Sequence, residues 1–119
     1  MTESANEHQP LSPAMFHVLM ALADGEKHGY AIIKEVAGLT GERVRLSAGT
    51  LYGIIKRLLA DAMIVESARR PAVPLDDERR RYYRLTKYGQ EVARAEASRL
   101  AQVLALARAK KLYEEPETA

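Results

Sequence analysis

One predicted helix, residues 48–62, carries side chains suited to contact with a nucleic acid. An apolar stripe marks the side that would face the core. The opposite side holds two glycines, a hydroxyl and two cations, with an aromatic residue at its border: Gly49, Thr50, Gly53, Lys56, Arg57 and Tyr52. Bare backbone could approach a duplex closely, hydroxyls could bond base edges, and cations could bond phosphates.

An ordinary solvated helix is the alternative for this segment. Glycine in a helix interior costs about 1 kcal/mol relative to alanine, so two glycines on one exposed face need a compensating reason. This cost favours DNA contact over a solvated face.

A second basic segment follows between two predicted strands. Six arginines fall within residues 69–84, interrupted by an acidic run at 76–78: Arg69, Arg70, Arg79, Arg80, Arg81 and Arg84. Planar guanidinium groups suit phosphates and narrow minor grooves. We therefore expect the first five to contact nucleic acid from a hairpin tip. Arg84 could instead brace the sheet, and a charged solvated loop is the alternative for the whole group.

Two helix starts add further candidates. His28 precedes Gly29 and Tyr30 at the start of a predicted helix, where free N–H groups can hold a phosphate. His28 and Tyr30 would either contact phosphate there or only pack. Ser47 stands at the start of the third helix and is a candidate for both capping and DNA contact.

The composition argues against other kinds of site. The three histidines have no metal-pair spacing, and cysteine is absent, so we expect no metal site and no cofactor. Neither a nucleophile motif nor a phosphate-binding loop is present, which predicts that the chain is not an enzyme.

The elements that would position these residues follow a simple order. Ser12 and Pro13 start a first helix that ends near Gly25, and a second runs from about 29 to 39. After the third helix come two strands, 63–66 and 81–85, and then a long helix capped by Thr86 that ends near Tyr113. This order predicts a mainly α fold with a small β-hairpin, a winged helix-turn-helix followed by a long C-terminal helix.

The long helix has an apolar stripe and needs something to cover it. The stripe consists of Val92, Leu100, Val103, Leu104, Leu106 and Ala107. A second copy of the chain is the simplest partner, because a two-fold dimer presents two recognition helices to DNA. Packing back on the same chain is the alternative. The predicted organisation is a tail at 1–11, a DNA-binding domain at 12–86, a dimerisation helix at 87–113 and a tail at 114–119.

Length and charge set broader bounds. The chain has 119 residues and a net charge of +2, which fits one domain. Residues 41–84 hold ten basic against six acidic side chains, +4, so the middle of the chain is the expected anion-facing part. No apolar run reaches the roughly 20 residues of a membrane span, and the first residues do not resemble a signal peptide. We expect a cytoplasmic protein with no membrane partner.

Taken together, four motifs resemble the PadR-like family of bacterial transcriptional regulators over roughly residues 11–113. They are His28-Gly29-Tyr30, residues 47–52 (SAGTLY), Lys56-Arg57-Leu58, and residues 81–86 (RYYRLT) with Gly89. The resemblance implies a homodimeric winged-helix DNA-binding protein, usually a repressor, whose single C-terminal helix makes the dimer.

By position, the resemblance implies that Thr50, Leu51 and Tyr52 form the contact segment, with Lys56 and Arg57 as its basic flank. Some family members bind flat aromatic molecules at the dimer interface, and one subgroup stacks them on tryptophan. This chain has no tryptophan, so such a stacking pocket is not expected.

These observations predict a dimeric regulator, a repressor of a two-fold symmetric promoter, in which Thr50 and Tyr52 probe base edges. Its partners would be double-stranded DNA and a second copy, and a small-molecule inducer is left open. Two alternatives stay open: a winged-helix protein-interaction module, and a small-molecule carrier at the dimer cavity, neither binding DNA.

Overall fold

The computed structural model describes residues 8–67 and 81–114. The helices are α1 (Pro13–Ala21), α2 (Gly29–Leu39), α3 (Ala48–Ala60) and α4 (Lys87–Ala109), and the strands are β1 (Lys27–His28), β2 (Ile64–Glu66) and β3 (Tyr82–Leu85). The predicted fold class is confirmed: the chain is mainly helical, with a small antiparallel sheet before a long last helix.

The sheet has three strands rather than the predicted two. β3 lies in the middle, with Ile64 of β2 opposite Leu85 on one side and Lys27 of β1 opposite Tyr83 on the other. β1 was not predicted, because two residues are too few to show an alternating pattern. It joins the start of α2 to the hairpin.

Side-chain caps fix the starts of α1, α2, α3 and α4. In each case a side-chain atom accepts a hydrogen bond from a backbone N–H of the first turn, and the capping residues are Ser12, His28, Ser47 and Thr86. Such bonds satisfy donors that have no partner within the helix. The helix starts predicted at Ser12, Ser47 and Thr86 are confirmed.

Three helix ends differ from prediction by a few residues. The long helix α4 ends at Ala109 rather than near Tyr113. α1 ends at Ala21 rather than near Gly25. α3 ends at Ala60, because the chain turns at Ala62 with a positive φ of 60°. The left-handed conformation stops the helix there and directs the chain into β2.

The core lies where the helices meet the sheet. All four helices and two strands contribute fully buried or nearly fully buried side chains, among them Val18, Leu19, Ile32, Val36, Leu51, Leu58, Ile64, Tyr83 and Val92. The prediction that Val92 belongs to a dimerisation stripe was wrong. Val92 is completely buried against its own domain, because α1 packs on this part of α4.

Over residues 8–67 and 81–114, every helix is too short or too polar to cross a lipid bilayer.

Candidate nucleic-acid interface

The outer face of α3 is open to solvent along its length. Leu51, Ile55 and Leu58 are buried on the inner side. The residues predicted for the other side are all exposed: Gly49, Thr50, Gly53, Lys56 and Arg57. Among the described residues, and apart from the adjoining backbone of α3 itself, no heavy atom lies within 4 Å of the place that a β-carbon would take on Gly49 or Gly53. The two glycines therefore expose bare backbone at the surface.

The basic flank of this face is accessible. Arg57 lies 3.7 Å from the Asp61 carboxylate, measured from Nε to Oδ2, and its side chain is 72% exposed. Exposed ion pairs of this length contribute little and are screened by salt, so a phosphate could displace Asp61. Lys56, one residue earlier, is also exposed.

The first turn of α3 presents an oriented hydroxyl. Ser47 Oγ accepts a hydrogen bond from the Thr50 N–H at 3.1 Å and donates one to Thr50 Oγ1 at 3.0 Å. Because Thr50 Oγ1 accepts from Ser47, its own proton can be donated outward to a base or phosphate acceptor. Ser47 therefore serves as a cap that orients Thr50, and any contact of its own with DNA remains a prediction.

Tyr52 does not take the role predicted for it. Its hydroxyl is buried and lies 2.9 Å from the place of a β-carbon on Gly29, at the start of α2. A hydroxyl enclosed there cannot reach a base edge, so the predicted readout by Tyr52 was wrong. The sequence placed Tyr52 at the border of the apolar stripe, and in the structure it packs inward and holds α3 against α2.

His28 and Tyr30 lie in different environments at the start of α2. His28 Nδ1 accepts a hydrogen bond from the Ala31 N–H at 3.1 Å, and the ring lies edge-on to Tyr82, with 5.3 Å between ring centroids. His28 thus caps and packs, and phosphate contact by its ring remains a prediction. Tyr30 is 56% exposed.

Lys34 is a basic residue of this surface that was not predicted from the sequence. Its Nζ lies 5.7 Å from the centroid of the Tyr30 ring, one helical turn away. The i, i+4 spacing of an aromatic and a lysine was the available signal. The pair adds positive charge beside the start of α2.

A cleft of about 450 Å³ separates α3 from the hairpin. Its lining includes two basic side chains, Lys56 and Arg81, one acidic side chain, Glu66, and the bare backbone of Gly53. Arg81 Nη1 lies 3.8 Å from Glu66 Oε1. The structure thus brings Arg81 to the same cleft as Lys56. The other predicted wing contacts, Arg69, Arg70, Arg79 and Arg80, lie outside the described residues.

The C-terminal half of α4 is a second exposed surface. Leu100, Val103, Leu104 and Leu106 are between 36% and 65% exposed, and Ala107 is partly so. Val92 and Glu96 lie on the same side of the helix, because positions four, seven and eleven residues apart share a face. The domain covers this face as far as Glu96 and leaves it open beyond. We call residues 100–107 on this side the α4 apolar face.

An ion pair between a buried carboxylate and a partly exposed arginine lies at the border of the covered part. Glu96, only 2% exposed, accepts hydrogen bonds from Arg99 Nε at 3.0 Å and Nη2 at 2.7 Å. The Arg99 bonds, aided by the Leu11 backbone N–H, hold the pKa of the Glu96 carboxyl below its ordinary value despite burial. The ion pair thus allows Glu96 to stay charged within a contact that is otherwise apolar.

The sequence matches a family model over much of this structure. The model describes the transcriptional regulator PadR-like family, and residues 18–95 match it. The chain belongs to the PadR-like family of transcriptional regulators. The matched region runs from α1 to the covered part of α4, so it includes α3, the sheet and the cleft between them. It ends before the α4 apolar face.

Three relatives illustrate the range of PadR-like similarity. The transcriptional regulator Rv3488 of Mycobacterium tuberculosis is 38% identical over 74 residues, covering 62% of this chain and 63% of that protein. A PadR-like regulator (BC4206) from Bacillus cereus has a TM-score of 0.66 at 20% identity, covering 85% of this chain and 93% of that one. Bacillus subtilis PadR, solved in complex with operator DNA, has a TM-score of 0.58 at 19% identity, covering 90% and 51%.

The similarity to the two solved structures concerns the fold. The chain spans 24% and 63% of the length of the two curated relatives that it matches.

Proposed function

We propose that this PadR-like protein is a sequence-specific DNA-binding repressor that acts as a homodimer on a two-fold symmetric operator. The observation that carries the proposal is the outer face of α3, where open glycine backbone, an oriented hydroxyl and two cations share one solvent-exposed surface. The Bacillus subtilis PadR complex with operator DNA, which has the same fold, supports it.

On a duplex, the cations would act first. Lys56 and Arg57 on α3, with Arg81 across the cleft, would bind phosphates and hold α3 in register with the major groove. Gly49 and Gly53 would let the α3 backbone approach the base edges. Thr50, whose oxygen already accepts from Ser47, would donate its hydroxyl proton to a base acceptor.

The α4 apolar face would form the dimer. Burying four exposed aliphatic side chains against the same four from a second copy is favourable by roughly 25 cal/mol per Å² of apolar surface removed from water. A two-fold axis through this face would present two α3 helices to DNA about one helical turn apart, roughly 34 Å.

Repression follows from occupancy alone. A dimer bound across a promoter excludes other proteins from it, whereas activation needs a further contact with the transcription machinery. An inducer would act by changing the separation of the two α3 helices through the α4 pair.

The test is the salt dependence of binding to a duplex that the protein itself selects from a random library. Log affinity should fall linearly with log salt, and Lys56→Ala should reduce the slope by about 1 if Lys56 contacts one phosphate. Lys110→Ala, at the far end of α4, makes the same charge change and should leave the slope unaltered.

An unchanged slope in Lys56→Ala would remove Lys56 from the interface. A folded wild-type protein that selects no duplex would contradict the proposal and favour a protein-interaction module or a small-molecule carrier.

A further inference from the structure

The end of α3 and the start of α4 are joined by a compact set of backbone contacts. Thr86 donates twice to the turn that follows α3, from its backbone N–H to the Met63 carbonyl at 3.0 Å and from Oγ1 to the Ala62 carbonyl at 2.7 Å. Thr86 Oγ1 also accepts a hydrogen bond from the Gly89 N–H at 2.9 Å. One hydroxyl thus bonds both helix ends.

Gly89 brings the two segments into direct backbone contact. A β-carbon on Gly89 would lie 1.9 Å from the Met63 carbonyl oxygen and 2.8 Å from its carbon. No side chain fits between them, and the obstacle is backbone rather than a flexible side chain. The first turn of α4 therefore rests on Met63. We call Thr86 and Gly89 with Ala62 and Met63 the α3–α4 joint.

Elsewhere, α3 and α4 touch little. α3 packs on α2 and β2, while α4 packs on α1 and β3. The direct contacts between the two helix ends are therefore concentrated in the α3–α4 joint. We expect the angle between α3 and α4 to depend on that joint.

Small rotations at this joint would have large effects at the dimer. Gly89 and Val103 are 14 residues apart, which is about 21 Å along a helix rising roughly 1.5 Å per residue. A tilt of about 10° at the joint would move each α3 by about 4 Å relative to the two-fold axis, close to the roughly 3.4 Å spacing of base pairs.

We propose that the α3–α4 joint is a positioning element that sets which half-site spacing the dimer accepts. Within the joint, the hydrogen bonds of the Thr86 hydroxyl determine how firmly the angle between α3 and α4 is held. This inference rests on the proposed function. It adds that operator selectivity is determined partly by residues that do not touch DNA.

Thr86→Val tests the inference, because it removes the hydroxyl and keeps the side-chain volume and the backbone bond to Met63. Thr86→Ser, which keeps the hydroxyl, is the matched control. Both are first compared with wild type by circular dichroism and sedimentation, at a temperature where all three are folded. Gly89→Ala is a harsher variant, because its β-carbon has no room.

The first readout needs no DNA. The chain has no cysteine, so Ala60→Cys on the exposed end of α3 allows one spin label per protomer. Electron spin resonance then measures the distance between the two α3 helices of a dimer. The distribution should be about twice as wide in Thr86→Val as in wild type and Thr86→Ser. An equal width in all three would overturn the inference, and the absence of any distance signal would contradict the dimer.

The second readout uses the selected duplex, with its centre lengthened or shortened by one or two base pairs. The ratio of affinities for the best and the altered spacing should fall about fivefold or more in Thr86→Val, with binding to random duplex unchanged. A folded, dimeric Thr86→Val with the wild-type ratio contradicts the joint alone. A wild-type chain that selects no duplex contradicts the proposed function.

Discussion

The hydroxyl of Tyr52 on α3 lies 2.9 Å from the place that a β-carbon would occupy on Gly29, the first residue of α2. The ring carbon bearing that hydroxyl is only 3.3 Å from the same point. Glycine at position 29 therefore makes room for the tyrosine, and the tyrosine fixes α3 against the start of α2. This contact positions α3 from the border between its buried and exposed sides.

Tyr52→Phe should separate positioning from readout. Phenylalanine keeps the ring packing, so the affinity for the selected duplex should stay within about threefold of wild type, because a buried hydroxyl reads no base. Tyr52→Ala removes the ring, and it should weaken binding to selected and random duplex together. Fluorescence anisotropy on both duplexes measures this. A specific loss of about tenfold or more in Tyr52→Phe, with random duplex unaffected, would show that the hydroxyl does reach a base.

Gly53→Ala should move stability and binding in opposite directions. The position is helical with open space around it, so alanine should raise the free energy of unfolding by about 0.5–1 kcal/mol. On the groove side, the added methyl would hold the α3 backbone away from the bases. Affinity for the selected duplex should fall about tenfold, equivalent to about 1.4 kcal/mol.

Gly38→Ala is the matched control, since Gly38 is also a helical glycine with open space around its β-carbon position, on α2. It should leave affinity for the duplex unchanged. Urea unfolding measures the free energy of unfolding, and titration with the selected duplex measures the affinity, both on the same preparations. If Gly53→Ala binds as tightly as wild type, the glycines do not serve close approach to DNA.

The helices and their order were predictable because their signals are local. Ser12, Ser47 and Thr86 are capping residues next to periodic apolar runs, and all three cap helices in the structure. The exposed face of α3 followed from the same 3.6-residue period. Such patterns depend on neighbours within one or two turns, which a sequence displays directly.

What the sequence did not show depends on distant contacts. Tyr52 turns inward because Gly29, twenty-three residues earlier, leaves space for it. Val92 is buried because α1 covers the first part of α4, a packing choice that an apolar stripe alone does not reveal. The cleft between Lys56 and Arg81 likewise arises only when the hairpin folds against α3.

Leu104→Glu should convert a dimer into a monomer. Leu104 lies within the α4 apolar face and is 44% exposed in the single chain, so a carboxylate there would be buried without a partner in the dimer. Sedimentation at micromolar concentration should show about half the wild-type mass. Leu39→Glu places the same charge on another exposed leucine, on α2, and should leave the mass unchanged. A dimeric Leu104→Glu would place the dimer contact elsewhere.

Glu96→Gln should lower stability at neutral pH and lose its effect in acid. The Arg99 hydrogen bonds lower the pKa of Glu96 in the folded chain, so its carboxylate stabilises the fold above the unfolded-state pKa. That contribution is lost as the pH falls through the lowered folded-state pKa. At about pH 7 the variant should unfold with roughly 1–3 kcal/mol less free energy than wild type, and the difference should shrink below about pH 4.

Urea unfolding followed by circular dichroism across this pH range measures the Glu96 effect. Glu42→Gln is the matched control, because Glu42 pairs with Arg45 at the same three-residue spacing and 3.0 Å, but its side chain is 59% exposed. An exposed pair contributes at most about 1 kcal/mol, so this variant should stay close to wild type at every pH. Equal losses in the two variants would mean that burial of Glu96 beside the Leu11 backbone adds nothing to the pair. A constant loss across the whole pH range would show that Glu96 acts through packing rather than through its charge.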